Sequence, residues 1–395
     1  MNTQPYQTPS QWWPPKMNPW LVWFGALHRK KALAQQQIVD IEVQGLDRLK
    51  ALIAANTGLL VTPNHSFHYD SYCLNHAAAQ ASRPFHYMTA WQVFAASSAY
   101  ERWWLQLHGC FSVDREGSDI RAFKQAVEIL QTSHYPLVIF PEGDIYHTNE
   151  RVRQFRDGAA AIALASARRT DRRIACVPCA IKANFLDDPT PKLCALLETL
   201  ERRLNWRPRP DLPMSDRLYR LADGILSLKE LEYLGHPSRG TVPARTASLA
   251  EAILQRLEQV HGVTTIAGIV PERVKELRRR IILKREKPGD TPADTAALNK
   301  DMEDLFFVIQ LYSYPGDYVS ERPSVERMAE TLDKLEEDIL NATYPSVRAR
   351  RKAVVSFGEP IEISKEKAQQ PSTEALTNQL QAAVQGLLDG IRSPA

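Results

Sequence analysis

The chain has 395 residues, enough for one large domain or two and for a sizeable core. Its 44% hydrophobic and 24% charged residues are ordinary for a globular protein, and a formal net charge of +3 without a nucleic-acid motif makes no case for a nucleic-acid partner. Five cysteines, an odd number in so long a chain, do not make a disulfide framework and point to a reducing compartment.

The first ten residues or so, rich in Gln, Thr and Pro, read as disordered. The longest apolar candidate, 19–27, is shorter than the ~20 residues a membrane span needs. No basic segment precedes it and no small-residue cleavage site follows, so neither a transmembrane helix nor a signal peptide is expected, and the expected location is cytoplasmic. Trp12, Trp13, Trp20, Trp23 and Phe24 stand beside His28-Arg29-Lys30-Lys31, which suits the headgroup layer of a membrane surface or, equally, a helix packed on its own domain. Residues 1–37 are therefore set apart as an N-terminal aromatic and basic segment.

From there strands and helices alternate. A strand is expected at 38–43, a helix at 46–55 and a buried strand at 59–62, broken by Pro63-Asn64. His65 and Asp70 follow. Five residues apart on one helix would turn them about 140° from each other, so a working pair requires His65 on a turn and Asp70 in the first turn of a helix over 70–81. That puts His65 at the carboxyl end of a strand, where ligands of open α/β sheets gather. An imidazole whose second nitrogen is held by a carboxylate is a general base for a hydroxyl. With no Gly-x-Ser-x-Gly elbow in the chain, direct attack by a substrate hydroxyl on an activated acyl group is the simplest scheme. The plainer alternative is a loop histidine followed by a helix-capping aspartate.

Further along, strands are expected at 85–90, 109–115, 137–140 and 174–181, with helices through Trp103-Trp104, over 119–132 with Ser118 as N-cap, and over 158–168. Cys176-Val-Pro-Cys179 sits among apolar residues and reads as strand rather than half of a metal site. The alternation implies an α/β fold, a mostly parallel sheet flanked by helices on both faces.

Four motifs stand in order: Asn64-His65-x4-Asp70, the Gly109 to Asp114-Arg115 strand, Phe140-Pro141-Glu142-Gly143, and Val177-Pro178-x-Ala180-Ile181. Together they resemble the glycerolipid acyltransferase family, the lysophosphatidic acid acyltransferases and their relatives, over about residues 40–185. Phe155-Arg156-Asp157-Gly158-Ala159 is similar to a further stretch of that family, and 353–363 to its closing segment, two short strands around a Gly-Glu-Pro turn before an outer helix over 373–391. The resemblance implies the glycerolipid acyltransferase fold, with a core of 38–186 plus 351–395 and a large helical insertion at 187–350. It implies transfer of a fatty acyl group from an acyl thioester, coenzyme A or acyl carrier protein, to a hydroxyl of a lipid acceptor, with no other cofactor and no metal. His65 would be the general base and Asp70 its orienting partner. Arg115, Phe140, Pro141, Glu142, Gly143 and Arg156 would serve the acceptor, Arg115 as a cation for an anionic group and Gly143 by letting backbone approach the substrate.

One departure bears on the acceptor. The family's Phe-Pro-Glu-Gly-Thr-Arg-Ser runs here as Phe140-Pro-Glu-Gly-Asp-Ile-Tyr146, so Ile145 replaces an arginine that helps hold the acceptor phosphate, and Asp144 precedes it. Losing that charge-assisted contact should weaken phosphate binding by ~2–3 kcal/mol. Arg151, Arg153 or Arg156 could replace it, or the acceptor could be a neutral or amino lipid. A non-catalytic lipid- or carrier-binding homologue, and a metal hydrolase built on His65, His68 and Asp70, are further alternatives. In the insertion, the basic stretch 271–287 is expected to pair with the acidic helix 325–340 as a solvated face, the alternative being that it meets anionic lipid or an acidic carrier.

Overall fold

A computed structural model of the chain describes residues 10–115, 119–263, 268–285 and 291–391. The disordered start expected for residues 1–9, the cap expected at Ser118 and the end of the basic stretch at Lys287 lie outside these. Packing divides the chain into two compact units, Met1–Asp114 with Asp119–Lys192 and Asp333–Ala395, and Leu193–Leu332 with Arg115–Ser118.

The first unit begins with α1 (Pro19–Phe24) and α2 (Ala26–Gln35), then alternates β1 (Ile38–Gln44), α3 (Leu46–Ala54), β2 (Gly58–Pro63), α4 (Asp70–Gln80), β3 (His86–Ala90), α5 (Trp91–Ala96), α6 (Ala99–Leu107), β4 (Cys110–Val113), α7 (Ile120–Thr132), β5 (Leu137–Val138), α8 (Gly158–Ala167) and β6 (Ile174–Phe185). The chain leaves this unit within α9 (Thr190–Arg203) and returns within α15 (Val325–Leu340), then forms β7 (Arg351–Phe357), β8 (Ile361–Ile363) and α16 (Thr373–Gly390). The strand order is β1-β7-β6-β2-β5-β3-β4, with β8 also on β6. Pairing is parallel except where β7 and β8 lie antiparallel to β6. The two strands around Gly358-Glu359-Pro360 do not pair with each other; they share one edge of the long β6 in succession. Pro178, which has no N–H to donate, falls at the gap between them, and its carbonyl accepts from Gly358 N at 2.8 Å.

Every residue of β2 is buried, as a central strand covered on both faces requires. The period of two sorts them: Leu60 joins α7, α8 and α16 on one face, while Leu59 and Val61 join α2, α3 and α4 on the other. The cap of α7 is Asp119, whose side chain accepts from Ala122 N at 2.9 Å. β5 is shorter than the expected 137–140 because the chain turns out of the sheet: Ile139 N still reaches Val61 O at 3.1 Å, and Gly143 N closes a turn onto Phe140 O at 3.1 Å. Since β2 and β5 are parallel neighbours, ~4.8 Å apart, the segments leaving their carboxyl ends meet at one edge of the sheet.

The second unit holds α10 (Met214–Leu234), α11 (Val242–His261), α12 (Val270–Arg285), α13 (Pro292–Ser313) and α14 (Tyr318–Glu321). Within the second unit the basic helix α12 has charged partners of its own. Its buried Arg273 binds Glu251 at 2.5 Å and Glu258 at 2.8 Å on α11, and Arg279 and Arg280 bind Glu276 of α12 itself at 2.8 Å. Glu330, Asp333 and Glu336 of α15 are buried: Glu330 accepts from Tyr318 Oη at 2.6 Å, and Asp333 and Glu336 share Arg348. Among the described residues, no helix is long and apolar enough to cross a membrane.

Candidate active site

His65 lies in the turn after β2 and Asp70 is the first residue of α4. A single oxygen of Asp70, Oδ2, faces His65 Nδ1 at 3.0 Å and accepts from Ser66 N at 2.8 Å and Phe67 N at 2.9 Å. The carboxylate is wholly buried, whereas the imidazole keeps 20% of its surface exposed. Two backbone donors hold the acceptor in place before the imidazole is considered, so Asp70 fixes both the shape of the turn and the orientation of the ring. The ring stacks on Phe140, centroids 4.0 Å apart and planes 25° from parallel.

Glu142 joins the two segments. Its Oε1 accepts from His65 N at 2.8 Å and its Oε2 from Arg153 N at 3.1 Å, with 2% of the residue exposed. Burial pushes its carboxyl up to about 8, against the pull of those two N–H donors. The Glu142 carboxyl group thus clamps main chain. Pro141 O accepts from Arg156 N at 2.9 Å. Gly143 adopts φ 77°, and a Cβ there would stand 2.6 Å from Arg156 Nε. The approach that a glycine opens at this turn is filled by the Arg156 guanidinium, itself partly exposed. His65, Asp70, Phe140, Pro141, Glu142, Gly143 and Arg156 are therefore brought together. Arg115 follows β4, the edge strand three positions from β2, and groups with the second unit.

Asp144 Oδ1 accepts from Ile145 N at 3.0 Å, and the Arg153 guanidinium lies 5.7 Å from the Tyr146 ring centroid. His68 turns from the pair to Glu337, Nε2 to Oε1 3.1 Å, so the arrangement His65, His68, Asp70 around one ion does not form. Burial pushes the thiols of Cys73, Cys110, Cys176 and Cys179 up, to about 12 for Cys110 and Cys176, with Asp70 adding to it at Cys73 and Cys179. Thiols held in that form are poor nucleophiles.

Several supporting residues went unread in the sequence. β2 pairs with β6 only as far as Cys179, and beyond it side-chain amides continue the ladder. Asn64 binds Ile181 N and O at 2.7 and 2.9 Å, and Asn149 binds Ala183 N and O at 2.9 and 2.7 Å. Gln381 and Gln385 of α16 accept from Phe155 N at 2.8 Å and Val152 N at 2.9 Å. The outer helix thus steadies the loop that carries Arg153 and Arg156. Asn64 stands in the first motif, which does not tell what it binds; the other three carry no local signal.

No curated protein matches the chain. A protein-family model described as Acyltransferase matches residues 40–182. That span runs from β1 into β6 and contains the His65–Asp70 pair, the Phe140–Gly143 turn and Arg156. Over residues 40–182 the chain is thus similar to that family.

Proposed function

We propose that this domain moves a fatty acyl group from an acyl thioester, coenzyme A or acyl carrier protein, to a hydroxyl of a lysophospholipid-like acceptor. The observation that carries the reading is the 3.0 Å approach of His65 Nδ1 to a buried, doubly N–H-bound Asp70 oxygen. With Nδ1 protonated and donating to Asp70, Nε2 holds the lone pair that takes the acceptor's hydroxyl proton. The acceptor oxygen attacks the thioester carbonyl, and the tetrahedral intermediate collapses with cleavage of the C–S bond. The leaving thiolate takes the proton back from the imidazolium, so no metal or further cofactor enters the balance.

Arg156, whose guanidinium lies against Gly143, is the cation we assign to the acceptor phosphate in place of the arginine absent at Ile145. Asp144 and Ile145 favour a second reading, a neutral or amino-lipid acceptor. Trp20, Trp23, Phe24 and Leu27 are each at least 64% exposed, next to Lys30 and Lys31, and support peripheral binding at a membrane surface on the cytoplasmic side.

Thiol release from palmitoyl-coenzyme A, measured with lysophosphatidic acid, a neutral monoacylglycerol and an amino-lipid, tests this reading. His65→Ala is expected to lower kcat by at least ~10²–10⁴ while leaving the circular dichroism and melting midpoint near wild type. Arg156→Met is expected to raise KM for the phosphate acceptor alone by about 10- to 100-fold, the equivalent of one charge-assisted contact. Undiminished turnover by His65→Ala would overturn the mechanism. Equal KM values for Arg156→Met and wild type would overturn the role of Arg156. Turnover of the uncharged or amino acceptor alone would establish the second reading.

A further inference from the structure

Three residues outside the acyl-transfer pair, far apart in sequence, converge on one point. His68 lies between His65 and Asp70, His147 follows the Phe140–Gly143 turn, and Glu337 belongs to the last turn of α15. His68 Nε2 stands 3.1 Å from Glu337 Oε1, and His147 Nε2 stands 3.3 Å from Glu337 Oε2. One donor atom from each lies within 4.8 Å of the others. His147 holds φ 51°, a left-handed backbone that a side chain rarely adopts and that persists where its surroundings over-determine it.

We propose that His68, His147 and Glu337 form a binding site for a divalent transition-metal ion of the zinc class. Two imidazoles and one carboxylate are a recurrent zinc donor set, and they leave a fourth position for water or another ligand. Ligands about 2.0–2.1 Å from a tetrahedral ion stand roughly 3.3–3.4 Å from one another. The two nitrogen–oxygen contacts run to different oxygens of Glu337, so closing the site around one ion requires the three donor atoms, now within 4.8 Å of one another, to draw together. Imidazole donors favour zinc, cobalt or nickel over magnesium or calcium. His147 and Glu337 are 2% and 9% exposed at the side chain, while His68 is 28% exposed and lines a small cleft with Phe67, Tyr69, Tyr344 and Arg351. An ion could enter past His68.

Such an ion would tie the turn that carries His65 and Asp70 to the segment after β5 and to α15. None of the three residues belongs to the proton-transfer scheme, so the site stands or falls without it. The test uses the full chain, freed of any affinity tag and stripped with chelator, then titrated with Co²⁺ and, in competition, with Zn²⁺. One equivalent of Co²⁺ per chain should give the visible ligand-field absorption of a four- or five-coordinate nitrogen–oxygen site, and Zn²⁺ should abolish it.

His68→Gln changes the exposed ligand and Glu337→Gln keeps the volume of the buried one. Each should weaken binding by at least about tenfold, since loss even of an outer-shell partner costs 10–100-fold. A melting curve without metal checks that each variant is folded. Absence of the absorption in the wild type, or retention of full affinity by both folded variants, would overturn the proposal. The first outcome would identify the cluster as an ion pair with hydrogen bonds alone, and the second would locate the metal elsewhere.

Discussion

At Asp70, one carboxylate oxygen gathers two main-chain N–H groups and an imidazole, so the residue that orients the base also shapes the turn that presents it. Glu142 is the complementary case: it contacts main chain on both sides and its value lies in the spacing it enforces. Burial pushes that carboxyl up to about 8 from an ordinary value of 4.5, so the folded state prefers the neutral form. The stability this preference confers is full below about pH 4.5 and is lost as pH rises through about 8. Urea unfolding of the wild type between pH 5 and 8 should therefore show stability falling with pH, by at most ~1.4 kcal/mol per unit from this group. Glu142→Gln should flatten that slope, although loss of one acceptor costs it ~1–3 kcal/mol at every pH. Parallel slopes in the two proteins would refute the assignment.

At the scale of the element, the N-terminal segment divides into two behaviours. Trp13 stacks on Phe94 at 5.3 Å and exchanges hydrogen bonds with Ser112, and Trp12 meets Phe111 edge-on, so this part is packed on its own unit. Helix α1 buries none of its residues and presents Trp20, Trp23 and Phe24 outward. Packing on its own unit thus holds for Trp12 and Trp13, while the aromatics of α1 stay exposed. Cosedimentation with anionic vesicles should show binding by the wild type, reduced at least about tenfold in Trp20→Ser/Trp23→Ser, as removal of two interfacial indoles implies. Unchanged sedimentation would assign those aromatics another role.

At the scale of the whole molecule, several charges of the second unit are buried in pairs. Arg245 binds Glu230 with two hydrogen bonds, at 3.0 and 2.7 Å, where Glu230 is fully buried, and Arg217 binds buried Glu201 at 2.6 Å. Deleting one partner leaves a charge without water or counterion. Arg245→Ala should lower the free energy of unfolding by ~3–5 kcal/mol in denaturant titration; a change below ~1 kcal/mol would show that Glu230 finds water or another cation.

The sequence alone determined the alternation of strands and helices, the apolar central strand that fixes where the sheet ends, and the requirement that residues five apart, His65 and Asp70, meet across a turn rather than along a helix. These are local properties, carried by periodicity and short spacing. Only the tertiary structure decided that Glu142 reaches back 77 residues to His65 N, that Asn64 continues the sheet onto Ile181 117 residues away, that His68 meets Glu337 across 269, and that α12 turns Arg273 inward to α11. A run of charges or a single amide does not encode its partner. The order of strands in the sheet and the path of the returning chain choose it, because they set which buried donor stands within 3 Å of which acceptor.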